Sequence, residues 1–176
     1  MKVTLKELQF NELLDFWNLA FSDTDAEWTK WNGPYFHDKL PSKQEFVDST
    51  QNNKYLQNSM HKVIWLDRQM VGMVSAYYDD EPLKQWLDVG ITLYKQDQWN
   101  HGVGKTALKQ WLDELFETIP LPHIGLTTWS GNYRMLALAE SLGLKKEAEI
   151  RQVRYWQGKY WNSIKYGILR SEWKKI

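Results

Sequence analysis

Cysteine is absent from this 176-residue sequence. Its absence excludes disulfides, thiolate metal sites and a cysteine nucleophile, so any nucleophile must come from another residue type or from a substrate. An excess of charge of one sign is also lacking, since 22 Lys and Arg residues balance 22 Asp and Glu residues. A neutral chain without a basic stripe predicts neither a nucleic-acid partner nor binding to an anionic membrane surface.

Long hydrophobic runs are missing as well. The sequence has neither the apolar core of a signal peptide nor about 20 consecutive apolar residues, so we expect a cytoplasmic protein without a membrane span. Histidine is sparse, and its four positions lack the spacing of metal ligands, which predicts no metal site. These positions are His37, His61, His101 and His123.

Aromatic side chains, in contrast, are abundant, with 11 Trp and 9 Tyr residues. One interpretation is a Trp-rich module that binds glycans without catalysing a reaction. Most of these rings, however, recur at helix or strand spacing among aliphatic residues, which is typical of core packing. The length of the chain and the lack of repeats or linkers favour one domain over residues 1–176.

Hydrophobic periodicity and turn residues predict a mixed α+β domain. Ser42 and Glu45 have the spacing of a capping box, Asn132 is a predicted helix N-cap, and Gly143 is predicted to end the same helix. An aromatic loop separates the first two helices. We expect helices over residues 13–21, after 42, after 102 and after 132, and strands over residues 1–6, 61–67, 70–78, 85–94, 123–129 and, as a pair, within 148–169.

A glycine-rich turn follows the strand predicted over residues 85–94 and leads directly into a helix. Gly102 and Gly104 would let a ligand approach the backbone, Asn100 tolerates a positive φ, and Lys105 adds a cation. Backbone N–H groups at a helix N-terminus, together with the helix dipole, favour a diphosphate. An ordinary strand-to-helix turn without a ligand is the alternative.

Two nucleotide-binding motifs do not fit this turn. A P-loop needs four residues between its glycines, whereas a single residue separates Gly102 from Gly104. A dinucleotide fingerprint belongs in the first βαβ unit of a parallel sheet, whereas this turn follows strands that are predicted to be antiparallel. The spacing therefore disfavours both a Walker-type and a Rossmann-type domain.

Several motifs together resemble the GNAT acetyltransferases, in particular the branch of ribosomal-protein alanine N-acetyltransferases of the RimJ/RimL type. The resemblance covers nearly the whole chain and implies a mostly antiparallel central sheet with one splayed parallel strand pair and helices on both faces. It rests on Trp99-Asn100-His101-Gly102-Val103-Gly104, on Asn132 with Leu142-Gly143-Leu144, and on the terminal segments Gly158-Lys159-Tyr160-Trp161 and Tyr166-Gly167-Ile168-Leu169-Arg170-Ser171-Glu172-Trp173.

The resemblance implies acetyl-CoA as the cosubstrate. Its pantetheine arm would follow the strand through Leu93 and Tyr94, and Asn132 would hydrogen-bond that arm in addition to capping its helix. The turn would hold the diphosphate through His101, Gly102, Val103, Gly104, Lys105 and Thr106.

The implied reaction is direct attack of a primary amine on the thioester. An ammonium must first lose a proton, and Asp88 is the candidate base, although a solvated strand carboxylate is an equal interpretation and Asp80 or Glu81 could serve instead. Many relatives carry a tyrosine acid at the position of Ala139. Its loss is tolerable because a thiolate of pKa about 8.5 is a fair leaving group.

The acceptor would lie beside the aromatic loop, with Trp31 and Tyr35 as candidate contacts. Closure of the core is the alternative for at least half of the rings in this loop. The acceptor itself, a protein N-terminus or a small-molecule amine, is left open, as is a homodimer. A catalytically inactive domain that binds acyl-CoA as a sensor or scaffold is the alternative function, favoured by Ala139.

Overall fold

The computed structural model describes residues 2–48 and 52–173, and within these residues seven strands form one sheet. The strands are β1 (Val3–Lys6), β2 (His61–Leu66), β3 (Gln69–Tyr78), β4 (Leu87–Leu93), β5 (His123–Trp129), β6 (Lys145–Trp156) and β7 (Lys159–Leu169). Their spatial order is β1-β2-β3-β4-β5-β7-β6, and the pairs are antiparallel except β4–β5, which is parallel. The predicted fold class is thereby confirmed.

Helices connect and cover these strands. They are α1 (Leu13–Ala20), α2 (Lys43–Asp48), α3 (Asn52–Tyr55), α4 (Val103–Thr118), α5 (Tyr133–Ser141) and α6 (Arg170–Trp173), with 3₁₀ turns at Phe10–Glu12, Glu27–Lys30, Pro34–Phe36 and Gln96–Gln98. The capping box at the start of α2 is confirmed, because the Ser42 amide donates to Glu45 at 2.7 Å and the Glu45 amide donates to Ser42 Oγ at 3.2 Å.

Two apolar clusters lie on opposite faces of the sheet. Successive strand residues point to opposite faces, and accordingly Ile64 belongs to the cluster beneath α4 and α5, whereas Val63 belongs to the cluster beneath α1 and α2. Trp111 is fully buried in the first cluster and Phe16 in the second. Helices therefore cover both faces, as predicted.

Three element boundaries differ from the predictions by one to three residues. Strand β4 begins at Leu87 rather than at 85, because the carboxylate of Asp80 accepts hydrogen bonds from the amides of Gln85 and Trp86. The β2–β3 turn consists of Asp67 and the following residue, one position before the predicted turn, and Asp67 has a φ of +53°. Strand β6 begins three residues earlier than predicted.

No helix in residues 2–48 and 52–173 has both the length and the apolar character that crossing a bilayer requires. In the same ranges, no three His, Asp or Glu side chains gather into a group that could hold a metal ion.

Candidate active site

Strands β4 and β5 diverge soon after they begin. Leu87 pairs with Ile124 and Asp88 with Gly125, and the described residues give no further pair between these strands. Beyond this point a cleft of about 340 Å³ opens between the second half of β4 and helix α5. Ile91, Thr92 and Leu93 form its β4 wall. The splayed parallel pair that the resemblance implied is therefore present.

The N-terminus of α4 opens into this cleft. Gly102 is its N-cap with a φ of +80°, a conformation that L side chains rarely adopt, and no described side chain caps the helix. The first bond of the helical pattern joins the amide of Thr106 to the carbonyl of Gly102 at 3.0 Å. The preceding amides thus lack helical acceptors and, with the helix dipole, form an anion-binding end.

Asn132 is the N-cap of α5, as predicted, and it also anchors the aromatic loop. Its Oδ1 accepts a hydrogen bond from the amide of Met135 at 3.1 Å, and its Nδ2 donates to the carbonyl of Trp31 at 3.0 Å. Trp129 Nε1 donates to the same Trp31 carbonyl at 3.0 Å. The loop is thereby fixed to the edge of the cleft.

About half of the residues that the sequence predicted to bind a ligand line the cleft. Its walls include Trp31, Leu93, Gly102, Gly104, Lys105 and Asn132. His101 and Thr106 are exposed at the α4 end outside these walls, and the Val103 side chain is buried in the core.

Tyr94 and Tyr35 lie outside the walls of the cleft. The Tyr94 ring packs within the cluster beneath α1 and α2, where burial raises its pKa, and its amide donates to the carbonyl of Val71. Tyr35 contacts the ring of Trp129 at a centroid distance of 5.9 Å and that of Phe36 at 4.8 Å. Tertiary packing therefore engages both rings outside the cleft, and the predicted ligand contacts of these two tyrosines stay predictions.

Asp88 is fully buried, so its interpretation as a solvated strand carboxylate is wrong. Thr127 Oγ1 donates to its Oδ2 at 2.7 Å, Trp86 Nε1 donates to its Oδ1 at 3.2 Å, and Lys165 Nζ lies 3.6 Å from Oδ2. Asp88 lies at the last β4–β5 pair, just before the strands diverge, and is not part of the cleft wall.

Tyr77 joins the same polar group from β3. The residue remains 44% exposed, while partial burial of the phenol and the nearby charge of Asp88 raise its pKa to about 12. Tyr77, Asp88 and Thr127 thus form a polar cluster directly before the point of divergence, in which Asp88 is the buried member.

Two residues of the cleft walls, Trp99 and Arg134, were not among the site residues predicted from the sequence. Trp99 Nε1 donates to the carbonyl of Leu93 at 2.9 Å, which ties the turn to the end of β4. Arg134 places its guanidinium 5.1 Å from the ring of Trp31 and 4.9 Å from the ring of Trp99, and its Nη1 donates to Asn100 Oδ1 at 3.1 Å. For Arg134, the one indication in the sequence was its position two residues after Asn132, the predicted helix N-cap.

The cleft fits a long ligand with an anionic end. Ile91, Leu93 and Leu138 give it apolar walls, whereas Lys105 and Arg134 contribute two cations, and no acidic side chain is among its described lining residues. A Cβ at Gly102 would meet no described atom within 4 Å, so a ligand has open space at the helix end. These features suit the apolar arm and the diphosphate of acetyl-CoA.

Comparison with known proteins agrees with this geometry. Over 117 residues the chain is 22% identical to “Putative ribosomal N-acetyltransferase YdaF” of Bacillus subtilis (strain 168), a match that covers 66% of this chain and 63% of that relative's length. The fold resembles the spermidine N-acetyltransferase from Vibrio cholerae in complex with CoA and spermine, with a TM-score of 0.77, 19% identity and 98% of each chain covered.

A GNAT-family acetyltransferase from Bacillus anthracis has a similar fold, with a TM-score of 0.76 and 15% identity over 98% of this chain and 97% of that one. The family model described as an acetyltransferase (GNAT) domain matches residues 2–145. This match covers most of the sheet, all of α4 and α5, and the whole cleft. The chain belongs to the GNAT acetyltransferase family.

Proposed function

We propose that this protein is an acetyl-CoA-dependent N-acetyltransferase that acts on a primary amine. The observation that carries the proposal is the cleft between the second half of β4 and helix α5, which opens where β4 and β5 diverge and ends at the uncapped N-terminus of α4. The described cleft walls carry two cations and no acid, so they favour an anionic cosubstrate. We take the whole chain to be one such domain.

In this proposal, each part of acetyl-CoA lies against a different part of the cleft walls. The amides that open α4 bind the diphosphate, with Lys105 at the rim, and Leu93 and Leu138 line the path of the pantetheine arm. The bound cosubstrate supplies an activated acetyl group as a thioester. Since the described β4–β5 pairing ends at Asp88, the later backbone N–H groups of β4 that face away from β3 are available to stabilise negative charge on the thioester oxygen.

Asp88 is the proposed base, acting through Thr127. An alkylammonium has a pKa near 10.4 and is not nucleophilic until it loses a proton. Because the Thr127 hydroxyl already donates to Asp88, its oxygen can accept the proton of the amine while its own proton passes to the carboxylate. This relay removes the need for Asp88 itself to touch the acceptor.

The acceptor amine enters, in this proposal, from the side of the aromatic loop, where Trp31 and Tyr35 lie. We consider two acceptor classes: a small amine, as for the Vibrio cholerae spermidine enzyme, and a protein N-terminus, which the resemblance to the RimJ/RimL branch implies. The name of YdaF, a putative ribosomal N-acetyltransferase, is compatible with the second class. A cytoplasmic location and a homodimer stay predictions.

A thiol-release assay tests this function directly. The chain contains no cysteine, so a thiol reagent reports CoA without background from the protein. Acetyl-CoA would be incubated with spermidine, an aminoglycoside, and peptides that begin with alanine or serine, and acetylated products would be confirmed by mass spectrometry. We expect at least one amine to release CoA above the amine-free control.

The alternative is a domain that binds acyl-CoA without turnover, for which buried Ala139 in place of a tyrosine acid is the supporting observation. Acetyl-CoA binding without CoA release by any amine in the panel would favour this sensor or scaffold. A failure to bind acetyl-CoA would contradict both functions.

A further inference from the structure

The side chain of Arg134 is an unusual feature of the cleft. It projects from the first turn of α5, and it lines the cleft together with Gly102, Gly104 and Lys105. The guanidinium is surrounded by rings, with centroids 4.9 Å away at Trp99, 5.1 Å at Trp31 and 5.5 Å at Tyr133.

The hydrogen-bonding capacity of Arg134 is mostly unused. In the described structure its Nη1 donates to Asn100 Oδ1, whereas its Nε is shielded from solvent and has no partner. An unpaired buried donor is unfavourable, and a guanidinium pairs best with a carboxylate or a phosphate through two parallel hydrogen bonds. The side chain thus has a positive charge and an unused hydrogen-bond donor, both of which suit an anionic ligand.

The described residues that line the cleft do not supply that anion. No acidic residue is among the described residues that line the cleft. Glu27 is close enough for Arg134 to contribute to lowering its pKa, but the carboxylate accepts hydrogen bonds from Lys30 at 2.6 Å and from Trp31 Nε1 at 3.3 Å. The partner of Arg134 is therefore to be sought in the ligand.

We infer that Arg134 binds the diphosphate of the cosubstrate from α5, so that the diphosphate is clamped between the α4 amides and a guanidinium. This inference rests on the proposed function and adds a cosubstrate-binding residue to it. The Trp99 and Trp31 rings hold the guanidinium at the cleft wall. A lysine, a point charge without a planar fork, would replace it only in part.

Calorimetry with CoA tests the clamp without any need for turnover. Arg134→Met keeps the length of the side chain and removes its charge and donors. Loss of one bidentate charged contact should weaken CoA binding by about 10-fold to 100-fold, and Arg134→Lys should fall between this variant and the wild type. Arg68→Met, in the exposed β2–β3 turn, is the matched control for the loss of one positive charge.

Two further probes identify which phosphate is bound. Dephospho-CoA lacks the 3′-phosphate, and Arg134→Met should weaken its binding by the same factor as that of CoA. Inorganic pyrophosphate should compete with CoA for the wild type more strongly than for Arg134→Met. A defect that disappears with dephospho-CoA would assign the arginine to the 3′-phosphate and overturn the diphosphate clamp.

The failure of this inference is distinct from the failure of the proposed function. If the wild type does not bind CoA, the function fails. If the wild type binds CoA and a folded Arg134→Met variant binds it equally well, the clamp alone is wrong. Thermal unfolding of each variant establishes that it is folded, and a Kd for Arg68→Met that rises as much as that for Arg134→Met would show a general charge effect and overturn the clamp.

Discussion

The C-terminal end of α4 depends on one side chain from α6, the helix that follows the last strand. The guanidinium of Arg170 donates to three carbonyls there, those of Phe116, Ile119 at 2.5 Å and Leu121 at 3.1 Å. It also lies 5.1 Å from the centroid of the Phe116 ring. Because α4 carries the anion-binding turn at its opposite end, this cap stabilises the helix on which the candidate site is built.

We predict that Arg170→Met destabilises the protein by about 3 kcal/mol. Each hydrogen bond to a charged group contributes roughly 1.5–3 kcal/mol, but the three share one side chain and water can replace some of them, so the sum is not reached. For a chain of this size, 1 kcal/mol corresponds to about 2–4 °C in Tm. The expected decrease in Tm is therefore about 6–12 °C.

Urea and thermal unfolding followed by circular dichroism would measure this change. Arg170→Lys, which keeps a charge near the helix end but loses the fork, should lie between the wild type and Arg170→Met. Arg68→Met again controls for the loss of a charge. A destabilisation below about 1 kcal/mol, the range of an ordinary substitution, would refute the assignment of Arg170 as a cap.

Two further predictions concern buried groups. The Tyr166 phenol donates to Glu140 at 2.7 Å, and burial together with this carboxylate raises its pKa to about 12. Between about pH 10 and 12 the unfolded chain releases this proton while the native state keeps it, so the free energy of unfolding falls as pH rises. Urea titrations over this pH range should show a shallower fall for Tyr166→Phe than for the wild type. Equal slopes for the two proteins would contradict the raised pKa. Asp88→Asn should lower turnover in steady-state assays about 100-fold or more, because it removes the proposed base. The Kd of acetyl-CoA should be unchanged, because Asp88 lies outside the cleft. Full turnover by this variant would leave Asp88 a structural role only.

Much of the fold could be predicted because its signals are local. The strand over residues 123–129 was bounded correctly, since prolines precede it and a Ser-Gly pair follows it. Asn132 accepts from the amide three residues later, and Gly143, with a φ of +78°, ends α5 while the Leu144 amide bonds to the Ala139 carbonyl. Caps and turns depend on a few neighbouring residues, so the sequence alone indicates them.

The environment of the site residues could not be predicted in the same way, because it depends on contacts between distant parts of the chain. Asp88 alternates with apolar residues along β4 as a solvent-facing residue would, yet Thr127 and Lys165, 39 and 77 positions away, cover it. The position of Arg134 at the cleft could not be predicted either, because it depends on the packing of Trp31 and Trp99 around its guanidinium. Periodicity identifies which face a residue occupies but not what packs against that face.

The central claim, that acetyl-CoA binds at the α4 turn, is tested most directly by calorimetry on the wild type, Gly104→Ala and Gly104→Trp. A Cβ at Gly104 would lie 3.6 Å from Leu93 Cδ1 and 3.8 Å from Leu138 Cδ2, which is ordinary contact, so alanine should be tolerated and should preserve most of the affinity. An indole at the same position must enter the cleft and should abolish binding. Undiminished binding by a folded Gly104→Trp variant, or no binding by the wild type, would contradict the account.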